Sequence, residues 1–406
     1  MDKHSRRDFL IATGSVIAIG LAAPSWLGAA ARAAVARQAK GLPAGGGGRV
    51  LVVCQLSGGN DGLNTVIPFS NAEYYKQRPE LAIPDIRSIP ISEELALHPS
   101  LASFEKLYSA GQAAIISGVG YAQPNRSHFA SMSIWHSADN DGQQKYGWLG
   151  RYLDSAPSAN PVFALSLGNG RIDALSGATA SVPTFASLED IKGMLGDADA
   201  ERALRAVQGS ATGEPEGRVK EAMDSALNAM DALASVLDNY SPSGSYGEDA
   251  FGQGFKQIAH LIAVSPGTQI VYLAVGGFDT HAGQAERHSE LLQQFGDAVA
   301  EFNAEMQKLG RAEDVSVMAF SEFGRRLAEN GSQGTDHGAA APMYVIGGGV
   351  KGGLYGSYPS LTDLNDGDLK FSTDFRQVYA TMLQQQLGAD SGSILGAEHS
   401  ALPLWG

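Results

Sequence analysis

The stretch from Arg49 to Asn64, R-V-L-V-V-C-Q-L-S-G-G-N-D-G-L-N, contains the clearest indication of the fold class. It begins with an apolar run, Val50 to Cys54, that has no polar face. Runs of this kind are typical of strands in a parallel sheet that helices cover on both sides. The run ends in a turn whose glycines permit tight backbone, and this turn places Asp61 at the edge of the predicted sheet.

Similar short apolar runs alternate with longer helical stretches along the rest of the chain. The predicted strands are Arg49 to Leu56, Ala113 to Val119, Val162 to Leu167, Gln269 to Val275, Val315 to Phe320 and Met343 to Gly347. The predicted helices are Leu101 to Ala110, Ser127 to Ser137, Arg218 to Asn239, Asp249 to Ile262, Gln284 to Lys308 and Asp374 to Leu387. This alternation predicts an α/β fold with a mostly parallel central sheet flanked by helices on both faces.

The N-terminus predicts export. Arg6 and Arg7 directly precede an uncharged run, Ile11 to Ala23, which is too short and too rich in Gly, Ser and Thr to span a bilayer. Ala31-Arg32-Ala33 fits a signal-peptide cleavage pattern. We therefore expect a twin-arginine signal peptide at 1–33, with an ordinary secretory signal as the alternative. The protein would use the twin-arginine translocon and act in the periplasm or outside the cell.

The remaining chain predicts a flexible Gly-rich joint at 34–48 and a single α/β domain at 49–406. Within this domain, about 170–245 has few strand signals, a Gly/Ser/Pro break at Gly209 to Gly217 and one amphipathic helix. We interpret it as a largely helical insertion or cap on the sheet.

Composition limits the partners. The formal net charge of −14 argues against nucleic acid and repels anionic substrates at long range, so anion chemistry would need local positive charge from a metal or an arginine. No second apolar span follows the signal, which argues against a stable membrane anchor. Cys54 is the only cysteine, and its apolar neighbours predict a buried thiol.

Acidic and histidine residues directly follow or precede several predicted strands. Ligands in open α/β sheets bind beyond the carboxyl ends of the strands, so these loops form the expected site. The candidate metal ligands are Asp61, Asp279, His281, Glu322, Asp336 and His337. Oxygen and imidazole donors of this mix suit Zn, Mn, Mg or Fe. The alternative is that each is an ordinary turn or cap residue.

A second candidate feature follows the strand Ala113 to Val119. The run Asn125-Arg126-Ser127-His128 lies where a helix begins, and free N–H groups at a helix N-terminus stabilise anions. We expect Ser127 to be a nucleophile or an anion contact, with N-cap as its alternative role. His128 could transfer a proton to the leaving group, with a helix-facing packing role as the alternative, while Asn125, Arg126 and Arg325 would bind substrate.

Several further motifs extend over most of the chain. They are the twin-arginine start, L-x-G-G-N-D-G-L-N-T-V-I-P, Tyr74-Tyr75 with Arg78-Pro79, Leu97-His98-Pro99, N-R-S-H-F, G-G-F-D-T-H, F-S-E-F-G-R-R, G-T-D-H-G and T-D-F-R-Q-V-Y. Together they resemble the bacterial family of unknown function DUF1501. That family is similar to the alkaline phosphatase superfamily, which has a parallel sheet with metal ions and a Ser or Thr nucleophile at the strand ends.

The resemblance assigns roles by motif. Asp61 matches the metal-binding aspartate after the first strand, Ser127 falls at the nucleophile position, and His337 matches the last metal-binding histidine. Asp279 with His281 resembles an aspartate-histidine metal pair, although the superfamily usually spaces these two residues further apart.

One departure affects the metal count. Phe323 stands in Ser321-Glu322-Phe323-Gly324 where the superfamily motif has a histidine. The chain could therefore hold one metal ion, hold two with altered ligands such as His288, or have lost hydrolysis.

The resemblance implies a metal-dependent hydrolase of phosphate or sulfate esters, with a small anionic ester as substrate. The alternative is an exported binding or assembly protein with a degenerate site. Family members are often encoded beside another exported family, which would suit an exported partner protein.

Overall fold

The computed structural model describes residues 48–168, 170–189, 191, 214–234, 236–265 and 267–405. The predicted signal peptide at 1–33 lies outside these residues, as do nearly all of the joint at 34–48 and residues 192–213 of the predicted insertion. The described part contains a nine-stranded sheet. Its strands are β1 (Val50–Leu56), β2 (Ala113–Gly120), β3 (Ala164–Leu167), β4 (Thr184–Phe185), β5 (Ile270–Val275), β6 (Val315–Phe320), β7 (Ala341–Gly347), β8 (Gly353–Tyr355) and β9 (Thr373–Asp374).

The sheet is mostly parallel, as the sequence predicts. The strand order is β8-β2-β7-β6-β1-β5-β3-β4, and β9 also pairs with β2. Only β7 runs antiparallel to its two neighbours, while the other strand pairs in this sheet are parallel. The reversal of β7 means that its first residues lie at the edge where the parallel strands end. The segment before β7 therefore meets the loops that follow β1, β5 and β6.

Helices lie on both faces of the sheet. They are α1 (Ala102–Ser109), α2 (His128–Ser137), α3 (Trp148–Ser155), α4 (Glu214–Ala234), α5 (Ala250–Val264), α6 (Gln284–Lys308) and α7 (Phe375–Thr381), which a π-helical turn continues over Met382–Gln386. Shorter α-helices occupy Gly62–Thr65, Ala72–Gln77 and Ser391–Leu395, and 3-10 turns occupy Asp85–Arg87, Pro99–Leu101, Asp173–Leu175 and Leu237–Asn239.

Within the described ranges, three small sheets lie beside the main one. Val66–Ile67 and Ile89–Pro90 both pair with Ala96–Leu97, and Leu364–Asn365 pairs with Asp368–Leu369. Arg325–Glu329 and Thr335–His337 pair antiparallel, and we call these two strands the site hairpin.

The central strand β1 shows why helices cover both faces. Its alternate residues belong to two separate hydrophobic clusters, with Val52 and Cys54 in one and Leu51 and Val53 in the other. The first cluster contains apolar residues of α1, α5 and α6, and the second contains those of α2, α3 and α7. The Cys54 thiol is free and buried, as expected, and burial raises its pKa.

The insertion predicted at about 170–245 differs in two details. The helix α4 begins at Glu214, four residues before the predicted Arg218, and so includes residues 214–217 of the break predicted at Gly209 to Gly217, while residues 209–213 lie outside the described residues. Pro215 fits this start because proline is compatible with the first turn of a helix. The short strand β4 also falls in this region and joins the main sheet. Among the described residues, no helix is long and apolar enough to cross a membrane.

Candidate metal centre

The loops after β1 and β5 touch closely at the edge where the parallel strands end. Gly58 has φ +121°, and a Cβ at this position would lie 2.4 Å from the backbone nitrogen of Asp279. Glycine is therefore required here both for its backbone angle and for the close approach. This contact fixes Asp279 beside the end of β1.

Three imidazole rings surround the Asp279 carboxylate. Its Oδ1 atom lies 3.0 Å from His337 Nε2 and 3.1 Å from His281 Nε2, and its Oδ2 atom lies 3.4 Å from His128 Nε2. The two atoms His281 Nε2 and His337 Nε2 are 2.9 Å apart. We call His128, Asp279, His281 and His337 the histidine cluster.

The opposite nitrogen of each ring faces an acceptor. His128 Nδ1 lies 2.8 Å from Glu322 Oε1, and His281 Nδ1 lies 3.2 Å from Asp336 Oδ1. His337 Nδ1 lies 2.8 Å from the carbonyl oxygen of Arg126. A neutral imidazole donates from one nitrogen only, so these contacts place the proton on Nδ1 and leave each Nε2 as a lone pair. Lone pairs that face a carboxylate repel it unless a proton or a cation lies between them.

This arrangement fits a metal ion. Ligand atoms of His128, Asp279 and His337 all lie within 4.8 Å of one another. Metal-binding histidines usually donate their second N–H to a carboxylate or a backbone carbonyl. The rings of His128, His281 and His337 do the same. Imidazole nitrogens with one carboxylate oxygen suit Zn or Mn better than Mg, which prefers oxygen ligands.

Glu322, a predicted ligand, lies behind His128. Its carboxylate is buried and accepts from the Gly58 N–H at 2.9 Å as well as facing His128. Phe323 packs its ring 5.0 Å from His128 and 4.6 Å from His337, measured between centroids. It forms an apolar wall of the histidine cluster.

Arg325, predicted to bind substrate, lies buried behind Asp279. Its guanidinium donates to the carbonyls of Gly59, Phe278 and Thr335 at 2.7 to 2.9 Å and to Asp279 Oδ1 at 2.8 Å. Burial alone would raise the pKa of Asp279, but the Arg325 guanidinium, which donates a hydrogen bond to it and carries a positive charge, lowers the pKa below its usual range. The carboxylate therefore stays ionised at neutral pH.

The loop before α2 is close to the histidine cluster through its backbone. Arg126 uses its carbonyl for His337, while its side chain pairs with Asp366 and Asp368. Asn125 accepts the N–H of Ser127 at 2.9 Å. Ser127 is exposed at the N-cap of α2, and its hydroxyl makes no capping hydrogen bond. In the chain it lies between Arg126, whose carbonyl contacts the histidine cluster, and His128, which belongs to that cluster.

Asp61 lies apart from these residues. Its Oδ2 atom accepts from Arg78 Nη1 at 2.6 Å and from Gln284 Nε2 at 2.5 Å, and the side chains of Asp61 and Arg78 are both 0% exposed. We call Asp61, Arg78 and Gln284 the arginine cluster. His288, considered above as a replacement ligand, is also buried elsewhere, with Nε2 2.9 Å from Asn60 Oδ1.

Of the six predicted ligands, the structure therefore brings Asp279, His281 and His337 together, with Asp336 and Glu322 directly behind two of the rings. Sequence reasoning gave His128 a proton-transfer role and did not include it among the candidate ligands, whereas the structure places its Nε2 atom beside the Asp279 carboxylate. The signal available was its place in N-R-S-H-F beside the predicted site. No sequence pattern indicates the contacts of Arg78 and Gln284 with Asp61, because these contacts join distant segments of the chain.

A model of the family described as "Protein of unknown function (DUF1501)" matches residues 48–399. No curated protein matches the sequence. Solved structures to which the chain is similar include Ps i-CgsB in complex with k-i-k-neocarrahexaose, at 11% identity over 87% of this chain and 73% of that chain, with TM-score 0.39. A protein in the alkaline phosphatase superfamily from Vibrio parahaemolyticus shows 8% identity over 87% and 68%, with TM-score 0.38. The PsFucS1 sulfatase from Pseudoalteromonas sp. shows 9% identity over 94% and 75%, with TM-score 0.38. Likeness at these scores assigns no function to this chain.

Proposed function

We propose that this chain, which belongs to the family of unknown function DUF1501, is a metal-dependent hydrolase of phosphate or sulfate esters. The observation that supports the proposal is the convergence of three imidazole Nε2 atoms on the Asp279 carboxylate, with each Nδ1 atom held by an acceptor. A divalent ion bound there, Zn or Mn by the donor set, supplies positive charge next to the exposed end of α2.

Ser127 is the proposed nucleophile. Its hydroxyl is exposed and makes no capping bond, and the next residue in the chain belongs to the histidine cluster. In the proposed reaction, Ser127 Oγ forms a bond to phosphorus or sulfur, the ester bond breaks, and the leaving oxygen takes up a proton. Water then cleaves the seryl ester, which releases phosphate or sulfate and restores the hydroxyl.

His128 is a ligand in this proposal and not the leaving-group acid. Glu322 holds its Nδ1 atom, and its Nε2 atom faces Asp279. A ring bound through Nε2 and hydrogen-bonded through Nδ1 has no further nitrogen with which to protonate a leaving group.

The charges around the site support metal dependence. The two arginines expected to bind substrate are engaged, Arg126 with Asp366 and Asp368, and Arg325 with Asp279 and four carbonyls. A small anionic ester would therefore depend on the bound ion for compensation of its charge.

Metal analysis and substrate tests examine the proposal directly. We expect the mature protein to contain a transition metal and to hydrolyse members of a panel of aryl phosphate monoesters, diesters and sulfates. Ser127→Ala should abolish turnover while metal content stays unchanged. Activity that survives Ser127→Ala would contradict the nucleophile, and metal-free protein with full turnover would contradict the metal role.

The second candidate is an exported binding or assembly protein with a degenerate site. The engaged arginines favour it, because the protein offers no free guanidinium from Arg126 or Arg325 to a transferred group. Bound metal without turnover on any ester of the panel would favour this candidate over the hydrolase.

We also propose export through the twin-arginine translocon, based on the motif around Arg6 and Arg7. Replacing both arginines with lysine should leave the protein in the cytoplasmic fraction, measured by immunoblotting of cell fractions. Normal export of this variant would contradict the pathway.

A further inference from the structure

An open cleft of about 410 Å³ lies beside the histidine cluster. One wall is a single face of α2, formed by Phe129, Met132, Ser133 and His136. These residues follow the i, i+3, i+4, i+7 spacing of a helix face. Such a face usually packs against a core, whereas this one borders the cleft.

The opposite wall connects the cleft to the site. Gln55, Ser57 and Gly58 at the end of β1 line it, together with Asp173. His128 and Glu322 line it as well. A substrate whose reacting group lies at the histidine cluster could therefore extend its other part into this cleft.

The charge of the cleft selects against anions. No lysine or arginine is among its lining residues, and Glu322 and Asp173 both contribute a carboxylate. Burial lowers the pKa of His136 to about 4, so this ring is neutral at pH 7. Arg171 pairs with Asp173 at 3.4 Å but does not line the cleft, so a negatively charged group entering it would meet the carboxylates of Glu322 and Asp173 at its walls.

The cleft offers apolar surface and fixed hydrogen-bonding groups. Phe129 is 92% exposed, so its ring is available to an occupant, and Met132 lies one turn further along. Tyr272 positions the polar side chains of Gln55 and His136. Its hydroxyl donates to Gln55 Oε1 at 2.5 Å and lies 3.3 Å from His136 Nε2. Side chains held in this way lose little freedom when an occupant binds.

We infer that this cleft binds the uncharged alcohol part of the ester, an aromatic or otherwise apolar alcohol that packs on Phe129 and Met132. The inference rests on the proposed function, because it assigns the part of the substrate that is not transferred. It excludes esters whose alcohol part is itself anionic, such as nucleotides or polyphosphates.

Binding of two phenols tests the cleft without any turnover. At pH 7, 4-methylphenol is neutral and 4-hydroxybenzoate is an anion of similar size, and ligand-observed NMR of the mature, metal-loaded protein gives both affinities. We expect 4-methylphenol to bind at least about tenfold more tightly, the factor expected from about 1.4 kcal/mol of discrimination. Equal affinities, or tighter binding of the anion, would overturn the inference.

Phe129→Ala is the direct variant, and it should fold normally because the ring is exposed. It should weaken 4-methylphenol binding by about two- to tenfold, the range expected for loss of an aromatic contact. Ile86→Ala is the matched control, since Ile86 is 94% exposed and does not line the cleft. The same loss in both variants would overturn the assignment of Phe129.

Substrate kinetics separate this inference from the hydrolase proposal. Phenyl esters with and without a carboxylate on the ring provide the comparison. If both are hydrolysed with the same kcat/KM, the hydrolase proposal stands and the cleft assignment is overturned. Selective binding of 4-methylphenol that Phe129→Ala weakens, without turnover of any ester, would support the cleft and contradict the hydrolase.

Discussion

In both the histidine cluster and the arginine cluster, several nitrogen atoms surround an aspartate. The two clusters differ in the solvent exposure of that aspartate and in the charge of the groups around it. Each aspartate pairs with a buried guanidinium, Asp61 with that of Arg78 and Asp279 with that of Arg325. The Asp61 side chain is 0% exposed, whereas the Asp279 side chain is 47% exposed and also faces three imidazoles. Arg78 always carries a proton, so Asp61 is compensated within the protein. Arg325 compensates Asp279 in the same way, but the three Nε2 lone pairs that face its exposed carboxylate add metal-binding donor atoms, which give that cluster affinity for a cation.

The comparison shows that position after a strand does not by itself make an aspartate a metal ligand. Both aspartates follow central strands and occupy the same edge of the sheet. The further groups that face each carboxylate determine its role, since protein donors enclose Asp61 whereas imidazole nitrogen atoms face the exposed carboxylate of Asp279.

The largest expected effect is on the arginine cluster. Asp61→Ala leaves Arg78 buried without its partner, which should lower the free energy of unfolding by about 3–5 kcal/mol. Urea denaturation measures this loss. Asp336→Ala in the site hairpin is the control, because its side chain is 58% exposed and it should change stability by less than about 1 kcal/mol. Similar losses in both variants would contradict the difference between the two regions.

The second prediction concerns metal affinity. His337→Ala removes one converging nitrogen and should weaken divalent metal binding by at least about 100-fold, the upper end of the range for loss of an outer-sphere partner. Competition with a chelator measures the dissociation constant. His288→Asn is the control, and its affinity should match that of the wild type because His288 contacts Asn60. A loss of equal size in the control would make His288 a ligand.

The third prediction concerns the part of the pH dependence of stability that comes from the buried ring of His288. Burial lowers the pKa of His288 to about 4, against roughly 6.5 in the unfolded chain. Between these values the unfolded state binds a proton that the folded state does not, so stability falls as the pH falls. The slope for one such proton is up to about 1.4 kcal/mol per pH unit. Urea midpoints from pH 7 to pH 5 should show a shallower fall in His288→Asn, and an unchanged slope would contradict the assignment.

Much of the fold could be predicted because long elements leave a periodic signal. The bounds of β6 and α6 match the predicted strand and helix, and the other predicted strands begin and end within two residues of the observed ones. The two-residue strand β4 has no periodicity to detect. The apolar run of β7 indicates a strand but not its direction, which depends on the pairing with β2 and β6.

The site could be predicted only in part. Asp279, His281, Asp336 and His337 were identified because they lie next to strand ends. Asp61 follows the same rule, but its partner Arg78 comes from a helix end 17 residues later, and no local pattern connects the two. The orientation of His128 depends on Glu322, which is 194 residues away. Ring orientation therefore had to come from the structure.

The smallest expected effect concerns Gln284, which connects the two clusters. Its Nε2 atom donates to Asp61 Oδ2, and its Oε1 atom accepts from Thr280 Oγ1 at 3.0 Å and from Thr335 Oγ1 at 2.6 Å. Thr280 lies between Asp279 and His281, and Thr335 precedes Asp336 and His337 in the chain. Gln284 thus fixes both segments that supply the converging groups.

Gln284→Ala should weaken metal binding by about tenfold, as expected for a residue that orients ligands without touching the ion. Thr335→Val removes one of the same hydrogen bonds with little change in shape and should produce a smaller loss in the same direction. Gln386→Ala is the matched control, because Gln386 is equally buried but donates to the carbonyls of Val50 and Asp314 at the opposite end of the sheet. It should lower the urea midpoint without changing the metal dissociation constant. If both glutamine variants weakened metal binding in proportion to their loss of stability, the effect of Gln284 would be general destabilisation, and the two clusters would be independent.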